Sequence, residues 1–119
     1  MVQKPYIGFD FDGFSKEEAI LNLRKAEDSL RIFQENGDFS VFLRVSGSGN
    51  GYHGKIVGNK IAEIDPVNLF LIRKAHGDDP RRVEIDILRE KAGVSYDKMF
   101  DSYTKQGKTY FAEKWEEII

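Results

Sequence analysis

The sequence contains no cysteine, and this absence excludes several kinds of site. Only two of the 119 residues are histidine, His53 and His76. Disulfide bonds and thiolate zinc sites are therefore excluded, and nitrogen ligands are scarce. A metal ion would have to be held mainly by carboxylates, which suit hard cations such as magnesium or manganese.

Long apolar runs and an excess of positive charge are also missing. No run approaches the roughly 20 apolar residues that cross a bilayer, and the N-terminus lacks the pattern of a secretion signal. We therefore expect an intracellular, cytoplasmic protein with no membrane partner. Eighteen basic residues face 20 acidic ones, for a net charge of −2. No global positive field attracts nucleic acid, although bound cations can supply positive charge locally.

What is present is the composition of an ordinary globular domain. Hydrophobic residues make up 40% of the chain and charged residues 32%. A chain of this size buries one core but not two independent ones. Because no repeat, low-complexity tract or linker-like stretch interrupts it, we expect a single domain over residues 1–119.

The alternation of apolar and polar residues predicts four strands. In each of them, apolar residues recur at the period of two that a half-buried strand requires. The four predicted strands are residues 6–12, 39–45, 52–57 and 82–88.

Helices are predicted between these strands and after the last one. Ser15 and Glu18 form a capping-box pattern before a long run of apolar residues at helical spacing, which stops at an Asn-Gly pair. The pair Asp65-Pro66 predicts the start of a short second helix. Residues 95–105 and 109–118 have less regular helical spacing and are predicted to form a helical tail.

This order of elements, βαββαβ, is that of ferredoxin-like and RNA-recognition (RRM-like) folds. We therefore expect an α+β domain: an antiparallel four-stranded sheet in the order 4-1-3-2, with helices on one face and a C-terminal helical tail. Function is predicted on the other face. The side chains expected beneath the helices are Phe9, Phe11, Phe39, Val41, Leu43, Val45, Ile56, Val83, Ile85 and Ile87.

Acidic side chains are predicted to converge on the uncovered face. Alternation puts Asp10 and Asp12 on the same side of the first strand, with Cα atoms about 7 Å apart. Such a pair repels unless a cation neutralises it. In the predicted strand order, Asp86 and His53 flank the pair. Three carboxylates around one point can hold two Mg²⁺ or Mn²⁺ ions roughly 3.5–4 Å apart, the arrangement used for nucleotidyl transfer.

The Gly-rich turn from Ser46 to Gly51 is predicted to bind phosphate. Its glycines allow left-handed backbone angles, so that consecutive N–H groups can form an anion-binding nest, while the serine hydroxyls donate further hydrogen bonds. His53 is expected to donate to a phosphate oxygen, and Lys55 to add positive charge. The predicted nucleotide-binding residues are Ser46, Ser48, Gly49, Gly51, His53, Lys55 and Arg82.

Three segments together resemble the archaeo-eukaryotic primase superfamily. Gly8-Phe-Asp-Phe-Asp12 is similar to the family's strand carrying Asp-x-Asp. Ser46-Gly-Ser-Gly-Asn-Gly-Tyr-His53 is similar to its Ser-Gly-x-Gly-x-His turn, and Arg82-Val-Glu-Ile-Asp-Ile-Leu-Arg89 to the strand with its last metal-binding aspartate. The match covers roughly residues 5–92 and includes the order and spacing of the motifs.

The resemblance implies a metal-dependent nucleotidyltransferase of primase or primase-polymerase type, acting in DNA replication. Asp10, Asp12 and Asp86 would bind the metal ions and act in catalysis, and Ser48 and His53 would contact the phosphates of an incoming NTP or dNTP. The implied partners are nucleoside triphosphates and single-stranded or primed nucleic acid. Family members carry an additional αβ unit before the Asp-x-Asp strand. We therefore expect a helicase, a large primase subunit, another replication protein or self-association to supply template handling.

A haloacid-dehalogenase-type phosphatase is an alternative enzyme. Phe9-Asp-Phe-Asp-Gly13 also resembles the nucleophile loop of that family, and Gly77-Asp-Asp79 its acidic motif. Against it, Phe14 occupies the position of an expected hydroxyl residue, and the family's doubly wound sheet needs more strands than the pattern predicts.

A non-catalytic RRM-like nucleic-acid-binding module is an alternative of another class. Such a module normally has exposed aromatic residues on its middle strands and a basic surface. The sheet positions predicted here carry acids instead. Taken singly, the Asp-x-Asp pair is compatible with a solvated strand end, and the Gly-rich turn with a flexible hairpin loop.

Overall fold

The computed structural model describes residues 5–119 and shows an α+β protein with a four-stranded antiparallel sheet. The sheet order is β1-β3-β2-β6, and a separate hairpin is formed by β4 and β5. A 3₁₀ turn at Ile61–Glu63 precedes α2. The elements are β1 (Tyr6–Asp12), α1 (Lys16–Phe33), β2 (Phe39–Val45), β3 (Gly51–Gly58), α2 (Pro66–Ala75), α3 (Pro80–Lys91), β4 (Ser102–Lys105), β5 (Lys108–Phe111) and β6 (Glu116–Ile118).

The first half of the chain folds as its pattern predicts. The predicted strands at 6–12 and 39–45 match β1 and β2, and β3 is one residue longer at each end than predicted. Helix α1 begins after Ser15, whose side chain accepts a hydrogen bond from the Glu18 N–H in the predicted capping box. Such a cap contributes about 1 kcal/mol, because it satisfies N–H groups that the first helical turn leaves without partners.

The core lies between the sheet and the two helices α1 and α2. Phe9 and Phe11 of β1 are fully buried, and their rings stack with centroids 5.5 Å apart. Gly54 of β3 lets α1 approach closely, since an added β-carbon there would lie 2.8 Å from Leu23. The buried residues of α1 recur at helical spacing and comprise Ala19, Leu23, Ala26 and Leu30.

The prediction of a fourth strand at 82–88 is wrong, because these residues belong to helix α3. Asp79 accepts a hydrogen bond from the Arg81 N–H as N-cap, and Pro80 occupies the first turn. Val83 is buried, whereas Ile85, predicted beneath the helices, is 48% exposed. The order 4-1-3-2 is therefore not found; β1 has no strand on its second side within residues 5–119.

Side chains take the place of that missing strand along the open edge of β1. The Gly8 N–H donates to the Asp97 carboxylate at 2.9 Å, and the Asp10 N–H donates to the Asp78 carboxylate at 2.8 Å. The Gly8 carbonyl accepts from Arg82 at 3.1 Å. Because the edge groups are satisfied in this way, β1 does not present a bare edge for pairing with another chain.

The predicted helical tail is also wrong, because the C-terminal residues form strands. β4 and β5 pair as a hairpin whose two central residues, Gln106 and Gly107, have φ of 53° and 78°. Positive φ at both positions is the signature of a type I′ turn, which matches the twist of the flanking strands. β6 then adds to the outer edge of β2.

The C-terminal segment, which is the part of the chain after α3 (residues 92–119), covers part of the sheet face that was predicted to be open. Arg44 of β2 is only 6% exposed and forms an ion pair with Asp101 at 2.7 Å. The Trp115 ring lies over the guanidinium of Arg44 at 4.3 Å and the ammonium of Lys55 at 4.4 Å. None of the helices in residues 5–119 is long and apolar enough to cross a membrane.

Candidate functional site

A cavity of about 520 Å³ opens beside the end of β1 and the turn between β2 and β3. This volume lies within the roughly 300–1,000 Å³ that is common for small-molecule sites. Seven residues predicted from the sequence line it: Asp10, Asp12, Ser46, Ser48, His53, Arg82 and Asp86. The convergence predicted for the first three strands is therefore present, but it occurs at one end of the sheet.

Asp10 and Asp12 lie on the same side of β1 and both line the cavity. Burial raises the pKa of Asp10 to about 6; Arg82 opposes this shift, and Asp78, Asp79 and Asp12 add to it. Within residues 5–119 the carboxylate of neither Asp10 nor Asp12 has a hydrogen bond or ion pair of its own. A cation bound there would favour the charged form of Asp10, which burial disfavours.

His53 is held as a neutral ring that can donate from one defined nitrogen. Burial and then the charge of Arg44 lower the pKa of His53 to about 4. Its Nδ1 accepts a hydrogen bond from the Arg44 Nε–H at 3.1 Å. A neutral imidazole that accepts at Nδ1 carries its proton on Nε2. Because His53 lines the cavity beside its β1 partner Asp10, it is suited to donate to an anionic ligand.

The Gly-rich turn offers a smaller set of donors than a complete nest. Its N–H groups at Ser46, Gly49 and Asn50 already bind acceptors inside the turn. The N–H groups of Gly47 and Ser48 have no acceptor among residues 5–119, and both residues line the cavity. Two adjacent N–H groups with hydroxyls beside them still suit one phosphate group.

Asp86 is not available as a metal ligand in this structure. It is 1% exposed, and its Oδ2 accepts from Arg73 at 2.7 Å and from the Asp97 N–H at 3.1 Å. Arg89 approaches the other carboxylate oxygen at 3.6 Å. Its place on a helix, rather than on a fourth strand, turns it into a buried ion-pair residue.

Arg82, a predicted phosphate ligand, is likewise occupied by the protein. It forms ion pairs with Asp78 at 2.8 Å and with Asp97, and it bonds the Gly8 carbonyl. Its guanidinium therefore joins α3 to β1 and to the segment that follows α3. Arg82 contributes positive charge to the cavity, but its guanidinium is held by these contacts and is not free to bind a ligand directly.

Three further predicted residues lie outside this cavity. Lys55 lies farther along β3 and faces Trp115. Gly49 has φ of 74° and serves the turn. Gly51 serves packing, since an added β-carbon would lie 2.1 Å from the Phe11 carbonyl oxygen.

Other lining residues were not predicted from the sequence. Asp79 lies beside the Asp10 and Asp12 pair, and Arg81, Arg89 and Lys98 add exposed positive charge. The missed signal was the pair Asp79-Pro80, which has the same helix-start pattern as Asp65-Pro66. A helix beginning at Pro80 places Arg81 beside the end of β1, and Arg89 farther along the same helix also lines the cavity.

The donor set fits a divalent cation that shares its ligands with a phosphate. No group of three or more acidic or histidine side chains in residues 5–119 is arranged to hold a metal ion alone. Magnesium, however, is commonly bound by one or two carboxylates, water and the phosphates of a substrate. Asp10 and Asp12 meet that requirement, whereas Asp86 does not.

Comparison of the chain with family models, with curated proteins and with solved structures returned no match.

Proposed function

We propose that this protein is a metal-dependent nucleotidyltransferase of primase or polymerase type, which adds nucleotides from an NTP or dNTP to a nucleic-acid strand. One observation carries the proposal: Asp10, Asp12, the Ser46–Ser48 turn and His53 line the same cavity. Carboxylates suit the metal ion of a metal–triphosphate complex, and backbone N–H groups and a histidine donor suit its phosphates.

The cavity is lined by both positive and negative side chains, which suits a ligand that combines an anion with a cation. Arg81, Arg89 and Lys98 surround the side nearest α3, and all three are exposed. The two carboxylates of β1 line the same cavity, and Arg81 lies beside them. A triphosphate bound there would contact positive charge directly, and Asp10 and Asp12 would hold the Mg²⁺ or Mn²⁺ ion that accompanies it.

Asp10 and Asp12 would hold the metal, and His53 and the turn would orient the phosphates. When bound, the metal polarises the phosphate and stabilises the leaving pyrophosphate. The Nε2–H of His53 donates to a phosphate oxygen, while the N–H groups of Gly47 and Ser48 bind a neighbouring phosphate. Burial of Asp10 favours a bound cation over an uncompensated carboxylate.

Nucleotide incorporation by Asp12→Asn tests the proposal. We expect the wild type to extend a primed single-stranded template with labelled nucleotide in Mn²⁺, and the variant to lose at least 100-fold in rate, roughly 3 kcal/mol of transition-state stabilisation. Asp12 is exposed and the variant should fold normally.

Asp28→Asn is the matched control, because Asp28 is exposed on α1 and away from the cavity. It should extend the primer at the wild-type rate. Undiminished extension by Asp12→Asn would contradict the mechanism.

A non-catalytic nucleotide-binding or RRM-like nucleic-acid-binding module is the second candidate. The engagement of Asp86 with Arg73 favours it, because only two of the three carboxylates that the resemblance implies remain for the metal. This candidate predicts metal-dependent nucleotide binding with no incorporation. The phosphatase alternative is not carried further, since every strand pairing in residues 5–119 is antiparallel and a doubly wound sheet is parallel.

A further inference from the structure

The β4–β5 hairpin projects from the cavity with one face made of aromatic and basic side chains. Tyr103 pairs with Tyr110, and Lys105 pairs with Lys108, across the two strands. Residues two apart along a strand share a face, so the tyrosine pair and the lysine pair lie on the same side, about 7 Å apart. The opposite face carries Ser102, Thr104, Thr109 and the exposed Phe111.

This face is exposed, and its charge differs from that of the whole chain. Tyr103 is 42% exposed and Tyr110 is 48% exposed, and both lysines lie on the surface. Ser102–Phe111 contains two lysines and no acidic residue, whereas the whole chain has a net charge of −2. Exposed aromatic residues next to lysines, in a hairpin with no acidic residue, suit a ligand that has both flat rings and negative charge.

The hairpin is fixed against the phosphate turn at its base. A β-carbon added at Gly47 would lie 3.2 Å from the Tyr103 Cβ and 3.2 Å from the Tyr110 carbonyl oxygen. The Ala112 N–H donates to the Asp101 carbonyl at 2.8 Å, which closes the hairpin base. Tyr103 also lines the cavity, so the aromatic face continues directly from the proposed nucleotide site.

We propose that this hairpin face binds single-stranded nucleic acid, with bases stacked on Tyr103 and Tyr110 and phosphates contacted by Lys105 and Lys108. Stacking on aromatic rings combined with lysine contacts to the backbone is the general mode of sequence-tolerant binding to single strands. A paired duplex hides its bases from such stacking. The inference deepens the proposed function, because it names the element that holds the strand at the nucleotide site.

Binding of a fluorescently labelled oligothymidylate, measured by anisotropy without metal or nucleotide, tests this inference. We expect Tyr103→Leu and Tyr110→Leu each to weaken binding roughly five-fold or more, the effect of one lost stacking contact. Lys105→Gln with Lys108→Gln should weaken binding and reduce the slope of log K against log salt by about 1.4.

Thr104→Ala with Thr109→Ala is the matched control, because this pair lies on the other face of the same hairpin. It should bind as the wild type does. The lysine variant changes only exposed residues next to the turn, so it should remain folded even if a tyrosine variant does not.

The inference would be overturned if the wild type did not bind the oligonucleotide. It would also be overturned if the lysine variant bound as strongly as the control variant. Equal binding of polyglutamate of the same length would also overturn it, because stacking would then be irrelevant. Since the assay omits metal and nucleotide, its outcome is separate from that of the incorporation assay.

Discussion

At the scale of single residues, burial gives two side chains of the cavity their chemical character. Asp10 and His53 are register partners on β1 and β3. Burial raises the pKa of Asp10 and lowers the pKa of His53, in each case favouring the neutral form. A cation bound at Asp10 would restore the charged form that burial disfavours, whereas neutral His53 keeps the Nε2–H that can donate to an anion. Strand parity predicts that they share a face, but it does not predict the neighbour of His53 from the end of the chain, Trp115, whose ring centroid lies 6.5 Å from that of His53.

The titration of His53 gives a pH-dependent prediction. Its pKa of about 4 in the folded protein lies below the ordinary histidine value of 6.5, so the unfolded chain binds more protons between these pH values. The contribution of His53 to the free energy of unfolding should therefore be complete above pH 6.5 and be lost as the pH falls to about 4, whereas Asp10, whose pKa is raised to about 6, contributes in the opposite direction over part of this range. Nitrogen NMR shifts of the ring should show a neutral Nε2–H tautomer at pH 5. Protonation of His53 near pH 6.5 would contradict this account.

Gly8 is a second residue whose role follows from its surroundings. An added β-carbon would lie 2.7 Å from the Asp97 carboxylate and 2.9 Å from the Met99 sulfur. Asp97 is held by Arg82 and cannot easily move aside. We predict that Gly8→Ala lowers the free energy of unfolding by about 1–3 kcal/mol, the usual range for overpacking. Urea unfolding measures this change, and an unchanged midpoint would contradict it.

At the scale of elements, the formation of helix α3 determines which of the predicted site residues are available to bind a ligand. The sequence of residues 82–88 fits a strand and a helix equally well, because Val83 and Ile87 are four residues apart and such a pair lies on one face of either element. Asp79-Pro80 favours the helix, and tertiary ion pairs complete it: Arg73 of α2 binds Asp78 at 2.7 Å and Asp86 at 2.7 Å. The elements up to α2 could be predicted because their caps and alternation agree. The ion-pair network around Arg73 could not be predicted from the sequence, since it depends on contacts between distant segments.

Substitution of Asp86 tests this assignment. Asp86→Ala would leave the buried guanidinium of Arg73 without one of its two carboxylates. We predict a loss of about 3–5 kcal/mol in the free energy of unfolding, typical for breaking a buried pair from one side. Asp12→Ala, which changes an exposed carboxylate, should lose less than about 0.5 kcal/mol. Thermal unfolding compares the two variants.

A variant Asp86→Ala that kept wild-type stability but lost metal binding would contradict the structural role. It would instead support the role in metal binding that the resemblance implies.

At the scale of the whole molecule, the C-terminal segment completes both the fold and the site. It supplies Asp97 to the edge of β1, Trp115 to the sheet face and β6 to the edge of β2. The hairpin within it extends the cavity. The local signal for strands β4 and β5 was the Gln106-Gly107 turn, which has a tyrosine, a threonine and a lysine on each side. The contact of Trp115 with Arg44 and Lys55 is not encoded in any local pattern.

The central claim is that Asp10 and Asp12 hold a metal ion together with the phosphates of a nucleotide. Electron paramagnetic resonance of free Mn²⁺ tests it directly, in a titration with protein and a non-hydrolysable nucleoside triphosphate. We predict that the wild type removes more free Mn²⁺ than the nucleotide alone does. Asp10→Asn and Asp12→Asn should remove no more than the nucleotide, while Asp28→Asn matches the wild type. Equal Mn²⁺ binding by the wild type and both cavity variants would contradict the claim.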